Sequence, residues 1–208
     1  MTLRIGRRHV VWLLAALPAA CISPNPALYT LAVVPGPVHP TAAMRIELRE
    51  IALAHYLERS QIVRSSEDYR LDVLGNEWWG EPLDAMLSRV LVQELSQRLP
   101  SGTVFAENGA ITATPDATVE LNVQRFDEDH TGAVILMAQV AVTGRVTEAR
   151  NLRFSVPPPS PGTPGLVAAM STAVGLLSDA IAADLAQGGT GAVEPASGRS
   201  RRRRSNGG

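Results

Sequence analysis

The sequence predicts an α+β domain, in which a mixed or mostly antiparallel sheet carries two long amphipathic helices packed on one face. Three observations support this class. Short runs of alternating apolar and polar residues recur along the chain, as is typical of half-buried strands. Two longer segments, one after Pro82 and one after Pro164, repeat apolar residues every three or four positions. The strands come in groups separated by single helices, which favours an α+β layer over alternating β/α units.

Strands dominate the first part of the chain. The parity of the apolar residues changes between Leu48 and Ile51, so a bulge is expected near Arg49 and Glu50. A turn-rich PGPVHPT segment separates the first candidate from the second. The four strand candidates are residues 27–34, 46–53, 61–64 and 68–74.

A helix is predicted to begin at Glu81 and Pro82, because proline is favoured in the first helical turn. Pro100 and Gly102 are expected to end it. Its apolar residues are three or four positions apart and therefore form one stripe for burial. They are Leu83, Met86, Leu87, Val90, Leu91, Leu95 and Leu99.

The second half repeats the pattern of strands followed by one helix. The strand candidates are residues 104–105, 110–114, 119–125, 133–146 and 152–156. Glu120, Asn122 and Gln124 alternate with apolar neighbours, so their face should meet water or a partner. The second helix is predicted to begin at Thr163 and Pro164 and to stop at Gly188 and Gly189.

The N-terminus is typical of a secretory signal peptide, predicted over residues 1–20. Arginines precede VVWLLAAL, an apolar run too short to span a bilayer. Ala19 and Ala20 then lead directly to Cys21, the only cysteine. This arrangement resembles a bacterial lipoprotein lipobox, although Pro18 stands where leucine is usual. The resemblance implies that Cys21 is lipidated and that residues 21–27 form a tether; a free or buried thiol is the alternative.

Composition places one α+β domain over residues 28–187 and a disordered Gly/Ser/Arg-rich tail over residues 188–208. Every basic residue is arginine. Between the leader and the five arginines that begin at Arg199, eleven arginines accompany all twenty acidic residues, which gives this body a formal charge of about −9. Such a body should not bind nucleic acid or an anionic surface through its net charge.

No catalytic, cofactor or metal site is predicted. His9, His39, His55 and His130 lack the spacing of metal ligands. The acidic run from Asp127 to Asp129, beside His130, is the best candidate for acid/base or metal chemistry. It lies between two strand candidates, however, where a solvated hairpin turn is expected.

Trp78 and Trp79 precede the first predicted helix. An aromatic pair could stack on a ligand, but such pairs more often pack a helix start against a sheet or form a partner interface. The core or interface interpretation is favoured, and both residues are candidates for partner contact.

Several segments together resemble the ABC-type transport auxiliary lipoproteins, the PqiC-like family. They are HYLERSQIV, WWGEPLDAMLSRVLVQELSQRLP, VELNVQRFDED and LVAAMSTAVGLLSDAIAADLA, in this order behind CISPNPALYTL. The resemblance implies a periplasmic accessory subunit and not an enzyme. It implies docking to a mammalian-cell-entry-domain tunnel protein for intermembrane lipid transport, with a permease and an ATPase in some systems. A homo-oligomer is compatible with this role, and nucleic acid is not an expected partner.

Ile22 follows Cys21, whereas an aspartate there retains enterobacterial lipoproteins at the inner membrane. The expected location is therefore the periplasmic face of the outer membrane, with the inner membrane as the alternative. Two other functions stay open at this point. A stand-alone lipid-binding module would need an apolar cavity, and a structural envelope lipoprotein would need none.

Overall fold

A computed structural model describes residues 25–67, 69–144 and 147–190. Within these ranges the chain forms one nine-stranded sheet and two α-helices, which confirms the predicted α+β class. The helices are α1 (Leu83–Arg98) and α2 (Thr163–Thr190), and a short 3₁₀ helix covers His55–Leu57. The strands are β1 (Ala27–Tyr29), β2 (Arg45–Leu48), β3 (Ala52–Leu53), β4 (Gln61–Glu67), β5 (Arg70–Trp79), β6 (Thr103–Ala106), β7 (Ala117–Glu128), β8 (Val134–Thr143) and β9 (Thr147–Val156).

Strand β7 is the central strand of the sheet. On one side it pairs antiparallel with β8, which in turn pairs antiparallel with β9. On its other side β2, β3 and β4 pair one after another along its length, all parallel to it. Beyond this row, β6 flanks β2, while β5 and then β1 flank β4. The sheet is therefore mixed, and the consecutive strands β2, β3 and β4 together pair with one side of β7.

A bulge in β7 changes which side chains enter the core. Val123 pairs with Ala138 and Arg125 pairs with Met137, so Gln124 is an extra residue on this strand. Because side chains alternate along a strand, the extra residue shifts the parity. Phe126 is consequently buried together with Val123, although the two are three positions apart.

Both helices pack on the face of the sheet that carries the buried residues of β7 and β8. The predicted apolar stripe of α1 is buried as expected, and Pro82 is the N-cap residue of this helix. α2 contacts α1 and strands β7, β8 and β9. Residues Thr163–Gln187 are long and apolar enough to cross a membrane, but 67% of an apolar 18-residue window within them is buried inside the domain. Packing in the core therefore accounts for the apolar composition of α2.

Several predicted strands differ from the observed ones. Only Ala27–Tyr29 of the first candidate is a strand, because the following residues bind helix side chains instead of a neighbouring strand. Residues 110–114 form no strand. The long candidate at 133–146 ends at Thr143, and the next strand begins already at Thr147, so the two form a hairpin.

Three other boundaries also differ. The change of parity after Leu48 is met by a break between β2 and β3, close to the predicted bulge. β5 continues to Trp79, so the two tryptophans belong to a strand. α2 continues through the two glycines that were expected to stop it. A helical glycine costs only about 1 kcal/mol, which the packed turns before it can offset.

Phe126→Ala should lower the free energy of unfolding by about 3–5 kcal/mol, because the fully buried ring leaves a cavity. Gln124→Ala, two positions away at the exposed bulge, should change it by less than about 0.5 kcal/mol. Urea denaturation of the two variants measures both values. Similar losses for both substitutions would show that the bulge does not set the parity as described.

Candidate functional site

The predicted lipidation residue, Cys21, and the tail beyond residue 190 lie outside the described residues, so both expectations stay predictions. The described chain enters at Asn25 and forms β1, which pairs parallel with β5. The site can therefore be built from the point where the tether meets the domain.

After β1 the chain crosses both helices as an extended segment, residues 31–40, which we call the strap. Its backbone binds the helices and not the sheet. The N–H of Ala32 donates to Ser171 Oγ on α2 at 3.0 Å, and the N–H of Val34 donates to Glu94 Oε1 on α1 at 2.7 Å. The N–H of His39 donates to the carbonyl of Arg98 at 2.7 Å. The strap thus ties the N-terminal segment to both helices.

Glu94 and Arg98 form a polar junction beneath the strap. Glu94 Oε2 accepts from Ser178 of α2 at 2.6 Å, so this carboxyl joins the strap, α1 and α2. Arg98 Nε donates to Asp179 of α2 at 2.5 Å, and its terminal nitrogens donate to the carbonyls of Val34 and Gly175. Apart from a bond of Arg98 to the carbonyl of Glu94 within α1, these contacts link different segments of the chain.

Glu94 and Arg98 are buried, so their charges cost free energy unless hydrogen-bond partners replace water. Glu94 has no exposed surface and the side chain of Arg98 is 1% exposed. Burial raises the pKa of Glu94 above its ordinary value, because the charged form is poorly solvated. Gly36 of the strap lies so close that a methyl group there would overlap Arg98 and Asp179. The close approach of the strap therefore depends on a missing side chain.

Sequence reasoning missed this junction, although a signal was present. Glu94 lies four positions after Val90 and Arg98 lies three after Leu95. Both charged residues therefore fall on the apolar stripe of α1 and not on its polar face. Charged residues are rarely buried without partners, so this placement could have indicated a buried polar network.

A second buried network lies on the sheet face opposite the helices. Asp127 is 1% exposed and accepts from Tyr56 Oη at 2.6 Å, from Ser65 Oγ at 3.1 Å and from Arg125 at 2.9 Å. The Tyr56 hydroxyl also accepts from the backbone N–H of Phe126 at 3.3 Å, in the gap between β3 and β4. Burial, and then the hydrogen bond to Asp127, raise the pKa of Tyr56. The network fixes the 3₁₀ segment on the bulged end of β7.

Asp127 and Asp129, from the acidic run that was the best candidate for acid/base or metal chemistry, have different surroundings in the structure. Asp127 belongs to the buried network just described, and not to a solvated turn as expected. Asp129 Oδ1 accepts from the side chain and backbone of Thr131, which closes the turn between β7 and β8. Within the described ranges, no three His, Cys, Asp or Glu side chains are arranged to hold a metal ion.

The two tryptophans have different surroundings. Trp79 is 6% exposed and belongs to the core, beside Tyr29 of β1. Trp78 lies on the other face, half-buried, and its Nε1 donates to the carbonyl of Gly75 at 3.0 Å. Only Trp78 is placed for contact with a partner.

The sheet face away from the helices, which we call the outer face, holds an open groove of about 720 Å³. Glu120, Asn122, Gln139 and Asn151 line it with polar side chains. Asn122 donates to Gln139 across the strands at 3.2 Å. Small residues, Ala52, Ala141 and Ala149, also line the groove and leave it room for side chains of another molecule.

A protein-family model described as the ABC-type transport auxiliary lipoprotein component matches residues 29–182, more than half of the chain. The match begins at the last residue of β1 and ends within α2, so it includes the strap, strands β2 to β9, all of α1 and the first twenty residues of α2. Both buried networks lie inside the matched region.

Two curated proteins are also similar, the intermembrane transport lipoproteins PqiC of Escherichia coli K12 and of Shigella flexneri. Each is 26% identical over 138 residues, which cover 64% of this chain and 72% of the relative.

Two crystal structures share the fold. An uncharacterized protein superimposes with a TM-score of 0.68 at 20% identity, covering 78% of this chain and 99% of that protein. A protein of the DUF330 family from Xanthomonas campestris gives a TM-score of 0.66 at 18% identity, covering 78% and 96%. At these identities the likeness concerns the fold alone.

Glu94→Ala should lower the free energy of unfolding by about 3–5 kcal/mol at neutral pH, because the N–H of Val34 and the hydroxyl of Ser178 lose their acceptor and buried Arg98 loses a nearby negative charge. Gln97→Ala, on the exposed side of the same helix, is the matched control and should have little effect. Urea denaturation measures both. Equal effects would contradict the role of the junction.

The same variant tests the raised pKa of Glu94. The folded chain holds this proton more tightly than the unfolded chain, so the wild type loses stability as pH rises through the folded pKa. Alanine does not titrate. The stability difference between wild type and Glu94→Ala should therefore be largest below the ordinary pKa of glutamate, shrink as pH rises through the folded pKa, and stay constant above it. A difference that grows with pH would contradict the shift.

Tyr56→Phe should lower the free energy of unfolding by about 1–3 kcal/mol, because buried Asp127 loses one donor. Tyr69→Phe is the control, since Tyr69 is 95% exposed. Thermal and urea unfolding compare the two variants. If Tyr56→Phe is as stable as the control, the hydroxyl does not support the network.

Proposed function

We propose a role in intermembrane lipid transport for this chain, which belongs to the family of ABC-type transport auxiliary lipoprotein components. The chain acts as a lipid-anchored accessory subunit in the periplasm and docks to a tunnel protein with mammalian-cell-entry domains. The family is one of transport components and not of enzymes. The similarity to the two PqiC proteins, whose name describes intermembrane transport lipoproteins, supports the same assignment.

The observation that carries the docking proposal is the open outer face. Both helices cover the other side of the sheet, so the polar groove is free to receive a partner. Its walls combine amide and carboxylate groups with three alanines, which suits inserted side chains that form hydrogen bonds. The rigid β7–β8–β9 meander below it presents this surface without rearrangement.

The anchor defines where docking takes place. Acyl chains on Cys21 hold the domain at the periplasmic face of the outer membrane, with the inner membrane as the alternative. A permease and an ATPase complete the transport system around the tunnel protein. The role requires no cofactor, and several copies of the chain are compatible with a ring-shaped tunnel.

Asn122→Arg should abolish co-purification of the tunnel protein, because a long charged side chain would fill the centre of the groove. Thr172→Arg is the matched control. It places the same side chain on an exposed position of α2, on the opposite side of the sheet. Pull-down with a tunnel protein that has mammalian-cell-entry domains, from the same bacterium, measures binding, and thermal unfolding checks that both variants fold.

The opposite result would contradict the proposal. If Asn122→Arg binds as wild type while Thr172→Arg does not, the helix side is the docking surface. If neither the wild type nor the variants retain a tunnel protein, docking itself is wrong.

A further inference from the structure

Four exposed apolar side chains lie along one edge of the sheet, three of them at or near the β4–β5 turn and the fourth, Leu28, further along the edge beside Trp78. Tyr69 is 95% exposed, Leu28 is 66% exposed, and Leu71 and Val73 are 47% and 43% exposed. They are four of the seven large apolar residues that are exposed in the described ranges. We call them the apolar stripe. Grouping of this kind, unlike scattered single residues, marks a contact surface.

The stripe faces away from the core. On β5, the side chain of Leu74 packs against the core. Because side chains alternate along a strand, Val73 and Leu71, one and three positions before Leu74, point to the outer face. On β1, Tyr29 packs against the core, so Leu28 points outward beside Trp78. The outer face carries Glu120, Asn122 and Gln139 at the middle of β7 and β8. What distinguishes the β1–β5 edge is that its apolar side chains on this face are exposed.

The direction of β1 brings the N-terminus to the same place. Ala27 lies beside Glu77, and β1 runs parallel to β5. The chain therefore approaches Ala27 from the side of the β4–β5 turn, where Tyr69 lies. Six residue steps separate Cys21 from Ala27, a reach of at most about 20 Å. Six steps back along β5, from Glu77 to Leu71, also cover about 20 Å. Cys21 is thus within reach of the stripe.

We propose that the apolar stripe rests on the bilayer to which Cys21 is anchored, so that the domain is held at the membrane in one orientation. This inference rests on the proposed lipid anchor and adds a second contact to it. Tyr69 suits the membrane interface, because its ring is apolar and its hydroxyl is polar. Attachment through one lipidated residue keeps the domain near the membrane but leaves its orientation free. Contact of the stripe with the bilayer would fix that orientation.

The charges near the stripe indicate the chemistry of the contact. Arg70 is 3.0 Å from Asp72 and 4.0 Å from Glu67, so this arginine is paired within the hairpin. No excess of basic side chains flanks the stripe, since Glu67 and Asp72 accompany Arg64 and Arg70 on β4 and β5. The contact is therefore apolar. It requires neither anionic lipids nor low salt.

The test uses the full-length acylated protein in vesicles of phosphatidylethanolamine and phosphatidylglycerol. Acylation leaves no thiol at Cys21, so Tyr69→Cys provides a single site for an environment-sensitive dye. Ile111→Cys is the control: Ile111 is 55% exposed but lies before β7, at the end away from the β4–β5 turn. Lipids with nitroxide groups should quench the dye at position 69 and not at position 111, equally at low and high salt.

A second variant separates the stripe from the anchor. Replacing both Leu71 and Val73 by aspartate should remove quenching at position 69, while acylation and thermal unfolding are unchanged because both residues are exposed. Absent or equal quenching at positions 69 and 111 would overturn the inference. A dye at position 69 that responds to tunnel protein without vesicles would assign the stripe to a protein partner and also overturn it.

Mass spectrometry of the wild type distinguishes failure of the anchor. A chain without acyl groups on Cys21 would overturn the proposed anchor, and the inference with it. An acylated chain whose dye at position 69 is not quenched would overturn the inference alone.

Discussion

The buried junction of Glu94, Arg98 and Asp179 constrains the whole arrangement of helices and strap. An ion in a protein interior costs several kcal/mol unless partners replace its water. Here the partners of the two α1 side chains come from two other segments: the strap gives the N–H and carbonyl of Val34, and α2 gives Ser178, Asp179 and the carbonyl of Gly175. If any segment moves away, a buried charge loses its partner. The charges therefore favour one docking of α1, α2 and strap, where apolar packing alone would tolerate several.

This constraint extends to the N-terminus. The strap continues directly from β1, so fixing the strap on the helices also fixes β1 beside β5. The backbone at Gly80 adds to this, because its N–H donates to the carbonyl of Tyr29 at 2.8 Å. The tether consequently leaves the domain at a defined edge and in a defined direction. A buried network among helices thus fixes the edge of the sheet at which the described chain begins, and with it the starting point of the proposed tether.

Binary patterning was sufficient for both helices, for most strands and for the α+β class, because these depend on periodic burial of apolar side chains. It was insufficient where a segment's partner decides its structure. The apolar run after Tyr29 resembles a strand, yet its backbone binds Ser171 and Glu94, which no local pattern reveals. Asp127 was placed in a turn because acidic runs are usually solvated, but the bulge at Gln124 and the distant Tyr56 bury it. The proposed anchor depends on Cys21, which is visible in the sequence. The proposed role of the stripe depends also on the direction of β1, which is not.

The groove and the apolar stripe lie on the same outer face but at different positions along β7. The groove surrounds Asn122, whereas β4 meets β7 at Glu128, six residues further, and carries the hairpin with the stripe beyond it. Six residues of strand correspond to about 20 Å. One face of the sheet can therefore contact a protein at its centre and a bilayer at its edge at the same time, while the helices stay clear of both. This separation is compatible with the proposed role, in which the subunit contacts a tunnel protein and a membrane together.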